Sequence, residues 1–242
     1  MTPTEEGARL LPALRELVRW SGTLDEIAAD INGVTTGRVR IGAYTSLSVN
    51  WLPRVLRAFG AQYPDVTLEV TDIGGQSLAE ALEEARLDVG LGCRPPEGRT
   101  GWIPLFDDQL MVLAPADRPL GARFPLRRLD GAPFIALPEH YDREVHALFR
   151  THGIVPDVRF SATDDYTIVS LVEQGLGISI LPELVLRGYR HCRIRTAPLD
   201  PPCHRQLGIV LPSLNEASPA TRRFVACAKR MARRAAAGDD PL

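Results

Sequence analysis

Residues 37 to 70, GRVRIGAYTSLSVNWLPRVLRAFGAQYPDVTLEV, read as a strand, a hydroxyl-rich turn, a helix and a second strand. Val39, Ile41 and Ala43 alternate with Arg38, Arg40 and Gly42, the period of two of a strand. Leu52, Val55, Leu56 and Phe59 then fall at i, i+3, i+4 and i+7, so one face of a helix is apolar and must be covered. Pro53 marks the start of that helix, because a first-turn residue has no intrahelical use for the N–H that proline lacks. Tyr44 to Ser48 is thereby read as the strand-to-helix turn, and Pro64 closes the helix before Val66, Leu68 and Val70 alternate. A strand, helix and strand of these lengths make a parallel βαβ unit with a right-handed crossover.

The order continues outward from this unit. Ser77-Leu78-Ala79-Glu80 has capping-box spacing, Leu78, Ala81, Leu82 and Ala85 repeat the helical stripe, and Leu87 to Gly92 is a short buried strand. After a Pro- and Gly-rich loop at residues 92 to 98, two strands are expected over 102–106 and 109–114. From Pro133 the opening order returns: strand 134–137, helix 141–152, strand 158–161, helix 166–174 and strand 177–181. Pro64-Asp65-Val66 is echoed by Pro156-Asp157-Val158, and the Arg86 to Val89 run by Gly175 to Ile178, at offsets of 92 and 89 residues. Those offsets exceed solenoid periods of ~20–50 residues and indicate two similar α/β lobes. Late strands at 193–197 and 205–211 and a helix from about Pro219 to Arg234 complete the chain.

The fold class is therefore α/β: two Rossmann-like lobes joined by a two-strand hinge, as in periplasmic binding proteins, preceded by a long linker helix. The expected division is 1–36 for that helix, 37–108 with 207–242 for lobe one, and 109–206 for lobe two. In the leading helix Leu10, Leu14, Leu17, Ser21, Leu24, Ala28 and Ile31 step by fours and threes, a coiled-coil seam that Trp20 and Ile27 widen. A second copy of the helix is the natural cover for this seam, in preference to the chain's own body. Pro12 is expected to kink or restart the helix, and Asn32-Gly33 to end it.

Composition narrows the function classes. The chain has 242 residues, 45% of them hydrophobic and 24% charged, with a net charge of −2. That balance gives no electrostatic support for nucleic-acid binding, and the arginines of the last helix read as a solvated face. No apolar run approaches the ~20 residues needed to span a bilayer, and the N-terminus lacks the basic-then-apolar order of an export signal. The expected location is the cytoplasm, without membrane contact. Cys93, Cys192, Cys203 and Cys227 lack metal-ligand spacing and read as reduced thiols. The five histidines lack HExxH spacing, and there is no G-x-S-x-G elbow, GxGxxG or P-loop. No enzyme, cofactor or metal site is expected.

Binding chemistry remains, and in open α/β sheets it sits at the carboxyl ends of the strands. Lobe one places Tyr44, Thr45, Ser46, Ser48, Ser77 and Arg94 there, with Gly74-Gly75-Gln76. Lobe two places His140, Thr163 and Tyr166 there. Hydroxyls, helix starts and one arginine favour a small carboxylate held between the lobes. Glu139, Asp142, Asp164 and Asp165 argue instead for an amine or amino acid. Ser77 also reads as a plain helix cap, as do Asp164 and Asp165.

Four segments together resemble a known family: Gly37 to Gly42, Leu52-Pro53 through Phe59 to Tyr63-Pro64, Leu87 to Leu91, and Val172-Glu173-Gln174-Gly175-Leu176-Gly177-Ile178-Ser179-Ile180-Leu181-Pro182. They resemble the effector-binding part of a LysR-type transcriptional regulator over about residues 8 to 212. Thr2 to Gly7 resembles the place where the winged helix-turn-helix of such a regulator passes into its linker helix. The resemblance implies ligand sensing, a homodimer or homotetramer, and DNA contact only through a helix-turn-helix domain that these residues do not include. The other class open to the sequence is a free-standing solute-binding protein of the same two-lobe architecture.

Overall fold

The computed structural model describes residues 4–73, 77–95 and 100–236. The chain divides into two compact units, Met1–Phe106 with Gln206–Leu242 as unit 1 and Asp107–Arg205 as unit 2.

Unit 1 opens with α1 (Glu5–Ile31), β1 (Gly37–Ala43), α2 (Thr45–Asn50), α3 (Leu52–Gln62), β2 (Val66–Asp72), α4 (Leu78–Glu83) and β3 (Val89–Cys93). It is completed by the first half of β4 (Gly101–Pro115), most of β10 (His204–Leu211) and α8 (Pro219–Ala236). Its sheet has the order β2-β1-β3-β10-β4, with β1 parallel to both β2 and β3 and β10 antiparallel to β3. Val39, Ile41, Val89 and Leu91 have no exposed surface. On α3 the expected stripe is the one buried, and Phe59 meets Phe224 of α8 edge to face at 5.6 Å. The Arg40 guanidinium grips Asp88 in a fork, Nη2 to Oδ1 at 2.7 Å and Nε to Oδ2 at 3.1 Å, which ties β1 to the lead-in of β3. The Asp88 carboxylate holds the Arg40 proton more tightly than usual, against the opposing effect of burial.

Unit 2 contains the second half of β4, β5 (Phe124–Pro125), β6 (Pro133–Ala136), α5 (Arg143–His152), β7 (Asp157–Ser161) and α6 (Asp165–Glu173). It closes with β8 (Ser179–Pro182), α7 (Glu183–Leu186) and β9 (Ile194–Asp200). β6 pairs with β7 in parallel, and Phe134 makes a parallel bridge to Ile178 just before β8. The order second-first-third is thus the same as in β2-β1-β3, so the duplication read from the offsets is present in the topology. β4 is flanked by β8 and β9, both antiparallel to it.

Three expectations change. Residues 45–50 form a helix of their own instead of a turn. Leu47 and Ser48 both donate backbone N–H groups to the Tyr44 carbonyl, and Leu47 is wholly buried. One apolar residue per turn leaves no period to detect. The strands at 102–106 and 109–114 are one strand, because Asp107-Asp108 breaks the apolar pattern without breaking the ladder. Pro12 lies inside a continuous α1 and neither ends nor restarts it. A proline in a helix removes one N–H donor, and the residues on both sides of Pro12 keep the helix going.

α1 turns the usual burial pattern inside out. Its buried residues are Thr23 and Glu26, whereas Leu10, Leu14, Leu17, Leu24 and Ile31 are each more than half exposed. No described helix is long and apolar enough to cross a membrane.

Candidate functional site

The three parallel strands of unit 1 end on one edge, since Ala43 stands opposite both Asp72 and Leu91. Tyr44 follows β1 directly, and its N–H donates to the Leu91 carbonyl at 2.9 Å. Its ring covers Gly92, where an added Cβ would come within 2.9 Å of the ring. Glycine is needed there for close approach, not for its freedom of φ. Thr45 Oγ1 donates to the Asp72 carboxylate at 3.0 Å, which laces the end of β1 to the end of β2. Ser46 is buried, and Ser48 Oγ is buried with no hydrogen-bond partner. Ser77 caps α4, with its hydroxyl accepting the Glu80 N–H at 3.3 Å. Arg94 is exposed just beyond β3. Gly74, Gly75 and Gln76 lie outside the described residues. The edge therefore gathers all six unit 1 candidates.

Trp51 escaped the sequence reading. Only 2% of it is exposed, it meets Phe106 edge to face at 5.7 Å, and its indole nitrogen lacks a partner. Such orphans are rare in native interiors. Its position directly before Leu52-Pro53 gave only a helix boundary.

In unit 2, β6 and β7 also end together, with Ala136 opposite Ser161. The turns beyond them carry His140 and Thr163, and the first turn of α6 carries Tyr166, all exposed. His140 stacks beside Tyr141 with ring centroids 4.4 Å apart, and Tyr166 lies 6.5 Å from Tyr189. The acids on this edge are largely committed. Glu139 is paired with Arg150 at 2.5 Å, and Asp164 caps α6 by accepting the Thr167 N–H at 2.8 Å. Asp142 caps α5 through the Val145 N–H at 3.4 Å. Burial, helped by Glu144, pushes the Asp142 carboxyl up to about 7, although Arg205 and His146 oppose the shift. Asp165 is also raised, by burial and then by Asp164, again against Arg205.

Arg205 and Asp108 are the second omission. Arg205 Nη2 lies 2.8 Å from Asp108 Oδ2, the two side chains are 11% and 5% exposed, and Asp108 Oδ1 accepts the Leu184 N–H at 3.0 Å. Asp108 interrupts an apolar strand, which was the available signal, but nothing in the sequence linked it to a residue 97 positions away.

The raised Asp142 sets a pH dependence. The folded chain holds this proton up to about pH 7, while the unfolded chain releases it near 3.8, so Asp142 favours folding at low pH and progressively opposes it as pH rises through that window. Asp142→Asn keeps the cap and removes the charge. It should leave stability unchanged near pH 4 and raise it by about 1–2 kcal/mol at pH 8, where water screening at a half-buried side chain reduces the full linkage value. Urea melts at the two pH values measure the difference.

With both edges in view, the comparisons identify the class. The family model described as "LysR substrate binding domain" matches residues 32–233. The chain belongs to that family. Among curated relatives, the HTH-type transcriptional regulator YvbU of Bacillus subtilis (strain 168) is 28% identical over 94% of this chain and 79% of its own length. YybE of the same organism, also named an HTH-type transcriptional regulator, is 30% identical over 78% of this chain and 66% of its own. Among solved structures, the effector-binding domain of QuiR in complex with shikimate superposes with a TM-score of 0.74 at 19% identity, covering 83% of this chain and 99% of that one. The BenM effector-binding domain with benzoate superposes at 0.72 and 23% identity, covering 85% and 95%. These likenesses show the two-lobe effector-binding fold expected from the sequence.

Proposed function

We propose that this chain is the sensing and self-association part of a LysR-type transcriptional regulator, and that it binds a small carboxylate whose occupancy controls transcription. The observation that carries the ligand class is that the unit 2 acids are committed to partners of their own. Glu139 is paired with Arg150, Asp164 is engaged as a cap, and the Asp142 carboxyl is pushed up to about 7, so it keeps its proton below neutral pH. The four acids that argued for an amine therefore weigh less than their number. The hydroxyls of Ser46, Ser48, Thr163 and Tyr166, the Arg94 guanidinium and the His140 ring supply donors to an anion, while the Thr45 hydroxyl is already given to Asp72. Shikimate and benzoate, bound by QuiR and BenM, are both carboxylates. The regulator names of the relatives support this reading over a free-standing solute-binding protein or an enzyme, and they support a cytoplasmic setting.

Calorimetric titration of a panel of carboxylates and amines against the wild type, Ser46→Ala and Arg94→Gln tests the proposal. A carboxylate should bind the wild type and lose about tenfold or more in each variant, in line with the loss of one charge-assisted or buried hydrogen bond. Binding of amines alone, or carboxylate binding untouched by both changes, refutes it.

The exposed α1 seam supports a homodimer, or a homotetramer built from such dimers, since apolar faces of this length in water are interaction surfaces. Sedimentation of residues 37–242 beside the full chain should show a lower association state. An unchanged state would place the contact in the two units. Sequence-specific DNA reading is assigned to a helix-turn-helix module beyond these residues, so no promoter-specific binding is expected here.

A further inference from the structure

α3 and α8 pack side by side in unit 1, joined by the Phe59–Phe224 contact and by Arg230, which donates to Gln62 Oε1 at 3.2 Å. Neither helix contains an acid. α3 carries Arg54 and Arg57, and α8 carries Arg222, Arg223, Lys229, Arg230, Arg233 and Arg234. A chain with more acids than bases has therefore kept its acids off these two helices, and those that reach α8 come from α1, as Glu26 and Asp30. The whole-chain charge conceals this.

The arrangement on α8 is regular. Arg222, Lys229 and Arg233 form one row, and Arg223, Arg230 and Arg234 a second beside it, each spaced by seven and then four residues. At 1.5 Å rise per residue these are steps of roughly 10 and 6 Å along the axis. Arg223 is committed to Asp30 of α1. Arg222 gives one N–H to the Asn215 carbonyl, and Arg230 one to Gln62, neither of which neutralises a charge. Arg57, Lys229, Arg233 and Arg234 have no partner among the described residues.

We infer that the α8 face, continued by α3, contacts the phosphate backbone of duplex DNA without reading sequence. A protein partner would call for an apolar or aromatic anchor at the centre of the patch. Neither α3 nor α8 contributes to the exposed large hydrophobics of this chain. Closely spaced cations with nothing apolar larger than Ala226 exposed between them match a duplex, which presents one negative charge per about 1.7 Å of axis and rewards counterion release. This contact supplies affinity and salt dependence, not a choice of site, and is independent of the ligand reading above.

The test is fluorescence anisotropy of a random-sequence duplex of about 30 base pairs titrated with the full chain between 25 and 200 mM salt. One variant is Arg222→Gln, Lys229→Gln, Arg230→Gln and Arg233→Gln together. A second removes the same charge elsewhere, from exposed Arg9, Arg123, Arg127 and Arg193. Wild type and second variant should bind weakly, with log affinity falling against log salt at a slope near −3, as for three or four phosphates. The first variant should lose tenfold or more at 50 mM and most of that slope, with an unchanged thermal melt. Equal losses in both variants, or no duplex binding by the wild type, overturn the inference. Wild-type binding to poly-glutamate but not to duplex also overturns it, in favour of an acidic protein partner.

Discussion

Arg205→Ala is expected to destabilise unit 2 by about 3–5 kcal/mol, the range for removing one partner of a buried ion pair. The size follows from what is left behind. Asp108 would keep the Leu184 N–H but lose a two-pronged guanidinium, at 3.0 and 2.8 Å, in a place where 5% of its side chain reaches water. A carboxylate so placed must bind a proton or draw in solvent. The second consequence is electrostatic. Arg205 is a positive charge that moderates both Asp142 and Asp165, so its loss should move both carboxyls further up. Urea unfolding of Arg205→Ala should therefore show lower stability at every pH and a larger decline between pH 5 and 8 than the wild type. Replacing the pair together, Asp108→Asn with Arg205→Met, keeps an acceptor for the Leu184 N–H and should recover most of the loss, because the cost arises from the stranded charge and not from the absent bond. A single variant no less stable than wild type would show that the pair is solvated in solution.

Glu26→Ala has the next largest expected effect, about 3 kcal/mol, and a local signature. The Glu26 carboxylate is 8% exposed and accepts the backbone N–H of Arg38 at 3.2 Å and of Ala220 at 3.1 Å. The first opens β1 and the second lies in the first turn of α8, where the helix dipole favours an anion. Each charge-assisted bond is worth about 1.5–3 kcal/mol, and alanine would orphan both donors. Gly37, at φ 135°, makes room for the group: a Cβ there would come within 2.3 Å of the Glu26 carboxyl carbon. Gly37→Ala should thus reproduce part of the loss from the other side of the contact. Besides Glu26, α1 is held to unit 1 by buried Thr23 and by the Asp30–Arg223 and Arg15–Glu84 pairs. Hydrogen exchange should accordingly quicken across α1 in Glu26→Ala while β1, β2 and β3 stay protected. Uniform loss of protection through unit 1 would mean that Glu26 supports the unit as a whole and not the seating of its helix.

Both residues show where reading by pattern stops. Periods of two and of 3.5 to 3.6 residues are local properties, and they located β1 and α3, whose apolar faces are buried, as well as β2 and the stripe of α1, whose apolar residues are largely exposed in the single chain. The repeated Pro-Asp-Val and the two offsets located the second unit. The candidate site was legible in outline, since strand ends in a parallel sheet must share an edge and hydroxyls and acids cluster in the turns there. Tertiary structure alone decided the rest. The Asp164 cap was legible from its spacing, but which acids on the unit 2 edge are paired or protonated depends on Arg150 reaching Glu139 and on the burial of Asp142, and no spacing rule encodes that. Whether Asp108 breaks a strand or crosses it depends on Arg205, and whether Glu26 is a surface acid or a buried one depends on Ala220, 194 residues later. The physical reason is common to all three. Apolar burial is non-directional and sums over a segment, so it leaves a pattern in the sequence. A buried charge is settled by one or two partners at under about 3.5 Å, and the fold brings those partners from anywhere in the chain.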